Sequence, residues 1–289
     1  DELRRVIDEH GNSSIYAGSY GWASAGRFHH AQSQIHRFLN CLGGYTKSVN
    51  TYSYAAAEVI LPHVIGVDAA KIMTQQTSWS SIVNNARLMV SFGGFPTGNS
   101  QISNGGVSDH IQVDYLRQAS SKGISLISIA PRQSIVDKTE QIEWIKARPN
   151  SDTALILGIC HTLLKESLHN INFLKKFTVG YEKFFQYLTG QSDGVVKNAV
   201  WAEQLSGVSS YEIRSLARKM ATTPTMISIT WSLTRQENGE QAYWAVIALA
   251  ARLGQMGKPG LGVGFGYTVI NYIGNNVRRL PFEALPQGK

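Results

Sequence analysis

Cysteine is scarce in these 289 residues: there are only two, Cys41 and Cys160, each in an apolar context, "FLNCLGG" and "LGICHTLL". Neither belongs to a CxxC pair or to a metal-ligand spacing, so a disulfide framework, a cysteine-bound metal and an iron–sulfur cluster in this span are set aside. Both thiols read as buried in helices. Long hydrophobic runs are missing as well. No apolar stretch reaches the roughly 18 residues of a membrane span, and the amino-terminal "DELRRVIDEHGN" is charged, unlike a signal peptide. An initiator methionine is lacking and "RLPFEALPQGK" stops inside a Pro-bounded loop, so the chain is expected to be a piece of something longer. Acidic residues are the minority, 20 against 27 Lys and Arg, for a formal charge of +7 and a pI near 9.4. That balance fits a basic surface or an anionic partner. The basic residues are scattered singly or in pairs such as Lys175-Lys176 and Arg278-Arg279, with no basic and aromatic stripe, which argues against nucleic acid. A GxGxxG turn is absent too, and with it the standard nicotinamide fingerprint.

What is present is a globular composition, 43% hydrophobic and 16% charged, able to bury a core. Phe28, Ile35, Phe38, Leu39 and Leu42 recur at helical spacing, predicting an amphipathic helix from Arg27 to Leu42, stopped by Gly43-Gly44. A second helix is predicted to begin at Ser53 and run until Pro62 limits it. After Trp79 short apolar runs alternate with helices. "ARLMVSF", "ISLISIA" and "TMISITWSL" read as buried strands, while helices are predicted around "DHIQVDYLRQASSKG", from Asp152 to about Glu166, from Ile171 to Leu188 and from Tyr211 to Met220. Buried, nonalternating strands between helices describe a parallel sheet covered on both faces, so residues 79–235 read as an α/β layer unit. "GEQAYWAVIALAARLGQMG" then reads as one long helix and "GKPGLGVGFGYTVINYIGNN" as a glycine-rich loop region. Both flanks share a helical, Gly-punctuated texture, so the α/β unit is expected to be inserted into a second domain formed by 1–78 and 236–289.

Ligands of open parallel sheets lie at the carboxyl ends of the strands, which singles out "GGFPTGN" (93–99), "APRQS" (130–134) and "WSLTRQ" (231–236). Gly93, Gly94 and Gly98 permit close backbone approach and Arg132 can hold a phosphate, although ordinary turns between strand and helix have the same look. Asp152 in "RPNSDTAL" is either a helix N-cap or a carboxylate that accepts both ring N–H and exocyclic amine of a guanine. Ser53 in "TYSYAAAEVILPHV" is either an N-cap or an oxygen that does chemistry. The hydrolase version fails, because "TYSYA" is not GxSxG and His63 lies ten residues on. His29, His30 and His36 lack i, i+4 pairing and read as polar-face or packing residues.

Taken together, "IYAGSYGWASAGRFHHAQSQIHRFLNCLGGYTKSVNTYSYAAAEVILPHVIG" resembles the dimethyl sulfoxide reductase family of molybdenum enzymes, nearest its biotin sulfoxide and trimethylamine N-oxide reductase branch. The likeness continues through "QQTSW", "RPNSDTALILGICHTL", "YLTGQSDG", "WSLTRQENGEQAYW" and "LGQMGKPGLGVGFGY", and so covers the whole chain, matching only the middle of much longer enzymes.

The resemblance implies a Rossmann-like domain at 79–235 that binds guanine dinucleotide, and a flanking α/β domain that carries the metal-ligand and substrate-side loops. It implies a bis(molybdopterin guanine dinucleotide) molybdenum cofactor with Ser53 as the protein ligand, an alkoxide being a hard donor suited to an oxidised molybdenum centre. Tyr20 and Trp22 of "GSYGW" fall on the substrate side, Tyr20 tilting the reading toward S-oxides, and Trp231 and Arg235 line the substrate funnel, Arg235 as the cation near a polar oxide. Asp152 matches the guanine reader. The loops with Gly93, Gly94 and Pro96 and with Pro131 and Arg132 match those contacting pyrophosphate and nucleoside, although "GGFPTGNSQ" departs from the family's Asn-Pro pattern. The expected reaction removes oxygen from an S-oxide or N-oxide such as biotin sulfoxide, methionine sulfoxide, dimethyl sulfoxide or trimethylamine N-oxide. Electrons are expected from an external donor, a c-type haem protein, and the parent is expected in the periplasm. The isolated piece is expected to hold little or no metal and to be inactive alone. The rival reading is a nucleotide-binding α/β module without redox activity; a remnant that merely folds is a third.

Overall fold

A computed structural model of the chain describes residues 1–24, 28–106 and 108–275. Helix α1 (Glu2–His10) and strand β1 (Tyr16–Ala17) are followed by α2 (Ala31–Cys41) and β2 (Thr46–Lys47), then by α3 (Ala55–Ile65), α4 (Ala69–Gln75) and α5 (Trp79–Asn85). Strand β3 (Leu88–Phe92), α6 (Gln112–Ser121), β4 (Ser125–Ala130), α7 (Ile135–Thr139) and β5 (Glu143–Lys146) come next. Helices α8 (Asp152–Lys165), α9 (Ile171–Phe177), α10 (Tyr181–Leu188), α11 (Ala199–Ser206) and α12 (Ser210–Thr222) precede β6 (Thr225–Ile229), α13 (Gly239–Leu253) and β7 (Gly262–Phe265).

The architecture is α/β. Five strands form one all-parallel sheet in the order β5-β4-β3-β6-β7, and β1 pairs in parallel with β2 over two residues. Strand β3 is aligned with both neighbours along its whole length, from Leu88↔Ser125 and Leu88↔Thr225 to Phe92↔Ile129 and Phe92↔Ile229. Every residue of β3 and of β6 is buried. Successive side chains point to opposite faces, so both faces of the sheet are covered, as continuous apolar runs require. Helix α8, buried at ten of its positions, packs against α11, α12 and α13, and α13 against α3.

Gln112, fully buried, ties the carboxyl-terminal segment to the sheet's helical cover. Its carbonyl oxygen accepts from Trp79 Nε1 (2.8 Å) and from the Thr268 amide (3.2 Å), and its amide nitrogen donates to the carbonyls of Asn271 (2.6 Å) and Ile273 (2.9 Å). Gln76 does the same on the outer edge of β7, accepting from the Phe265 amide (2.7 Å) and donating to the Phe265 carbonyl (3.0 Å). One side chain thereby closes part of an edge that would otherwise present open backbone groups.

Several expectations are corrected. The sheet does not end at 235: its fifth strand, Gly262–Phe265, comes from the segment expected to be a loop in the flanking domain. Glycine-rich "GVGF" carries no strand signal, but Gly264 has no side chain where the Tyr267 ring packs, so packing decides what propensity does not. Strand β5 carries no strand pattern in the sequence, because only Ile145 of its four residues is buried. Helix α3 starts at Ala55 rather than Ser53 and continues through Pro62 to Ile65. The interior proline costs about 3 kcal/mol, and the buried contacts of Ala57 and Leu61 hold the helix past it. Helix α2 starts at Ala31, after His30, whose Nδ1 accepts from the Ser33 amide; Arg27 lies outside the described residues, as do 276–289 with Arg278-Arg279. On α2 only Leu39 is buried, and Cys41 is exposed rather than buried, while Cys160 is buried as expected. The helix expected over 171–188 is two helices, parted where Gly180 takes a left-handed φ of 81°. Among the described residues, no helix is long and apolar enough to cross a membrane.

Candidate functional site

From β3 the chain crosses to β4 on one side, while β6 lies on the other. The strand order therefore reverses between β3 and β6, and the loops leaving Phe92 and Ile229 flank the crevice where open sheets take ligands. Gly93 (φ 86°) and Gly94 (φ 76°) turn the chain there in conformations that L side chains avoid. A Cβ on Gly93 would overlap Thr230 Oγ1 and Leu233, and one on Gly94 would press on Ser128 Oγ and Ala130. The two loops are thus in direct contact, with the Thr230 amide donating to the Phe92 carbonyl at 2.9 Å.

The residues expected on the nucleotide side all lie along this carboxyl edge: Gly93, Gly94 and Pro96 after β3, Pro131 and Arg132 after β4, and Asp152 after β5. Pro96, Pro131 and Arg132 are exposed, whereas Gly94 and Asp152 are buried. Asp152 is not the cap of α8. It is the first helical residue; Ser151 holds the cap position and its hydroxyl donates to the Arg148 carbonyl (2.6 Å). Burial pushes the Asp152 carboxyl up to about 6, against the opposing effect of its own amide. None of these six residues lines the second feature, a cavity of about 650 Å³.

Three of the chain segments that line that cavity carry expected site residues. Tyr20 and Trp22 follow β1, Ser53 and Tyr54 follow β2, and Trp231 follows β6; all five line it. Pairing of β1 with β2 sets the first two segments side by side, and the end of β6 delivers the third. Ser53 is half-buried, and its side chain does not cap α3: Tyr54 holds the cap position, without a side-chain cap bond. Instead Ser53 Oγ lies 3.3 Å from Tyr20 Oη. The amino terminus of α3, with Tyr54 and Ala55 on the cavity wall, places the positive end of a helix dipole beside that oxygen. Hydrogen bonding with Ser53 and Thr51, and the Arg235 charge beyond them, hold the Tyr20 phenol below its usual range.

Trp231 is 8% exposed and its ring lies 4.5 Å from that of Tyr54. Its indole N–H is buried without a hydrogen-bond partner, and Gly266 packs against it. A buried donor left unpaired costs about 1–3 kcal/mol. Arg235 lies outside the wall of this cavity, and its Nη1 donates to the Ser53 carbonyl at 2.9 Å. Thr51, Asn104 and His36 also reach the cavity. Thr51 adjoins Ser53 in sequence, but Asn104 and His36 carry no motif, and only the fold brings them in. Among the described residues no three His, Cys, Asp or Glu side chains converge as a metal-holding group.

The loops at the reversal point of a parallel sheet, continued through residues 230–235 to a cavity that holds the Ser53 hydroxyl, define an α/β protein whose strand carboxyl ends border that cavity. The chain belongs to the molybdopterin oxidoreductase family, whose sequence model, described as Molybdopterin oxidoreductase, matches residues 1–289. It is 41% identical over 273 residues to the biotin sulfoxide reductase of Cereibacter sphaeroides, an overlap of 94% of this chain and 37% of that protein. It is 39% identical over 271 residues to the trimethylamine-N-oxide reductase of Haemophilus influenzae, covering 94% of this chain and 32% of the relative. A dimethyl sulfoxide/trimethylamine N-oxide reductase of Cereibacter sphaeroides is 39% identical over 270 residues, with 93% and 32% covered. The chain thus spans about a third of the length of the curated relatives it matches. Acetylene hydratase from Pelobacter acetylenicus shares the fold, with a TM-score of 0.56 at 22% identity over 89% of this chain and 32% of that one.

The family implies a molybdenum–pterin cofactor, and the residues present fit it. Ser53 sets a hydroxyl oxygen on the cavity wall beside Tyr20, and Gly93 and Gly94 turn the chain at the sheet's reversal point with no side chain of their own.

Proposed function

We propose that this chain is the central part of a molybdenum-dependent reductase that takes the oxygen atom from an S-oxide or N-oxide. The net change is R₂SO + 2e⁻ + 2H⁺ → R₂S + H₂O, or the amine equivalent. The observation that carries the reading is the Ser53 hydroxyl, turned into the cavity toward Tyr20 instead of capping its helix, in a chain matched along its whole length to the molybdopterin oxidoreductases.

Bound in that cavity, a molybdenum–pterin centre supplies the two-electron oxygen-atom exchange. Ser53 Oγ is its protein donor. The Tyr20 phenol donates a hydrogen bond to the oxide oxygen as negative charge builds there. Trp22 and Trp231 wall the cavity and exclude water. Asp152 reads a guanine through paired N–H donors, with Gly93, Gly94, Pro96, Pro131 and Arg132 along the pyrophosphate and nucleoside path. That assignment makes the cofactor a bis(molybdopterin guanine dinucleotide), held between a Rossmann-like unit, which begins near residue 79 and takes its last strand from Gly262–Phe265, and a domain built from the flanking segments. The isolated chain is proposed to hold little or no metal, since the remaining two thirds of such enzymes supply the rest of the pterin shell. A c-type cytochrome is the proposed electron donor and the periplasm the proposed compartment.

The test uses the full-length protein that contains this chain. Stoichiometric molybdenum, with reduced-viologen-dependent turnover of biotin sulfoxide, methionine sulfoxide or trimethylamine N-oxide that Ser53→Ala abolishes or reshapes, is the expected result. Molybdenum-free protein, or Ser53→Ala with unchanged turnover, overturns it. Binding of NAD in place of GDP favours a nucleotide-binding module without redox activity.

A further inference from the structure

We infer that Arg235 and Glu58 are positioning residues that clamp the turn carrying Ser53, and that Arg235 acts on the Ser53 carbonyl rather than on the oxide. The inference rests on the proposed reading of Ser53 as the metal donor.

The turn before α3 is fixed at three points. The Thr51 amide donates to Glu58 Oε2 (3.2 Å), the Ser53 amide donates to Thr51 Oγ1 (3.2 Å), and the Ser53 carbonyl accepts from Arg235 Nη1 (2.9 Å). Thr234 Oγ1, bonded to the Trp231 carbonyl at 2.8 Å, reaches the same Ser53 carbonyl at 3.5 Å. Glu58 sits one turn into α3, and Arg235 ends the short turn that leaves β6. The clamp therefore transmits the position of a buried central strand to a serine 182 residues away.

A donor side chain on such a turn needs this. Helix α3 has no side-chain cap, and an uncapped helix end frays. A serine that has to meet a ligand with sub-ångström accuracy requires its backbone held by groups outside its own helix. A guanidinium on a carbonyl is a charge-assisted bond, stronger than a neutral one, and it leaves Oγ free.

The experiment uses the full-length protein, purified both with cofactor and from a host unable to make the pterin. In the cofactor-free form, Arg235→Ala and Glu58→Ala are expected to speed amide exchange of residues 51–57 by about tenfold or more. Exchange in α8 stays at the wild-type rate, as the control for folding. Arg235→Lys, which keeps the charge and loses the planar fork, restores part of the protection. In the loaded form Arg235→Ala lowers kcat by about tenfold or more with KM for the oxide within about twofold. Unchanged exchange at 51–57 in both alanine variants overturns the clamp. So does a raised KM at preserved kcat, which would return Arg235 to the substrate. If wild-type protein holds no molybdenum while exchange still accelerates, the clamp stands and the reductase reading falls.

Discussion

The phenol oxygen of Tyr20 and the hydroxyl oxygen of Ser53 lie 3.3 Å apart although 33 positions separate them in the chain. The pairing of β1 with β2 makes this contact, and it joins the two groups to which the proposed chemistry assigns an oxide and a metal. In the full-length enzyme Tyr20→Phe keeps the ring and removes the donor. The expected outcome is a fall in kcat/KM for S-oxides of about tenfold to a hundredfold, with molybdenum content unchanged, measured by steady-state assay and metal analysis on the same preparation.

Asp152 predicts a pH dependence of stability. Its folded-state pKa is raised to about 6 by burial, so the stability linked to it is fully present below its unfolded value, about 4, and is lost as pH rises through about 6. Asp152→Asn removes the charge while keeping the shape. Urea unfolding of both proteins should show the variant ahead at pH 7.5 by up to about 3 kcal/mol, with the difference gone near pH 4. A constant gap at both pH values would refute the buried, ligand-free carboxylate. GDP, by pairing with that carboxylate, should narrow the gap at pH 7.5.

Gly93→Ala tests the crevice. Alanine at φ 86° is strained, and its Cβ overlaps Thr230 Oγ1. A loss of about 2 kcal/mol or more is expected in chemical denaturation. Gly98→Ala, where the added Cβ meets open space, should be close to neutral.

Gln112→Leu should be among the most damaging core substitutions. It leaves the Trp79 indole, the Thr268 amide and the carbonyls of Asn271 and Ile273 without their shared partner in a buried setting. A cost of about 3 kcal/mol or more follows, read as a lowered denaturation midpoint.

Thiol reactivity checks the two cysteines. Cys41 is exposed, whereas Cys160 is buried and its thiol is pushed up to about 12 by that burial. Native protein should release one equivalent with an aromatic disulfide reagent at pH 8 and a second only after unfolding.

The central strands were legible because "LMVSF" and "TMISI" are continuous apolar runs, and a strand buried on both faces requires such runs whatever its neighbours. The carboxyl-edge loops were legible for a related reason: the direction of a parallel sheet fixes which turns face the ligand side. Strands β5 and β7 were not. "EWIK" has a single buried residue and "GVGF" has only two side chains, Val263 and Phe265, to carry a pattern, so their pairing comes from backbone hydrogen bonds to strands already in place. Whether Ser53 caps its helix or faces a cavity was equally open, because an N-cap serine and a free one look alike in sequence.

Composition and local pattern thus determined an α/β chain with a covered parallel sheet, and the motifs determined its family. The tertiary structure decided where Arg235 points, that Asp152 is buried inside the helix start, and that Tyr20, Ser53 and Trp231 share one cavity. Those are contacts between segments dozens to hundreds of residues apart, and no local periodicity records them. They exist only once the sheet has fixed the ends of its strands and the two-residue pairing of β1 and β2 has brought the serine turn beneath the tyrosine.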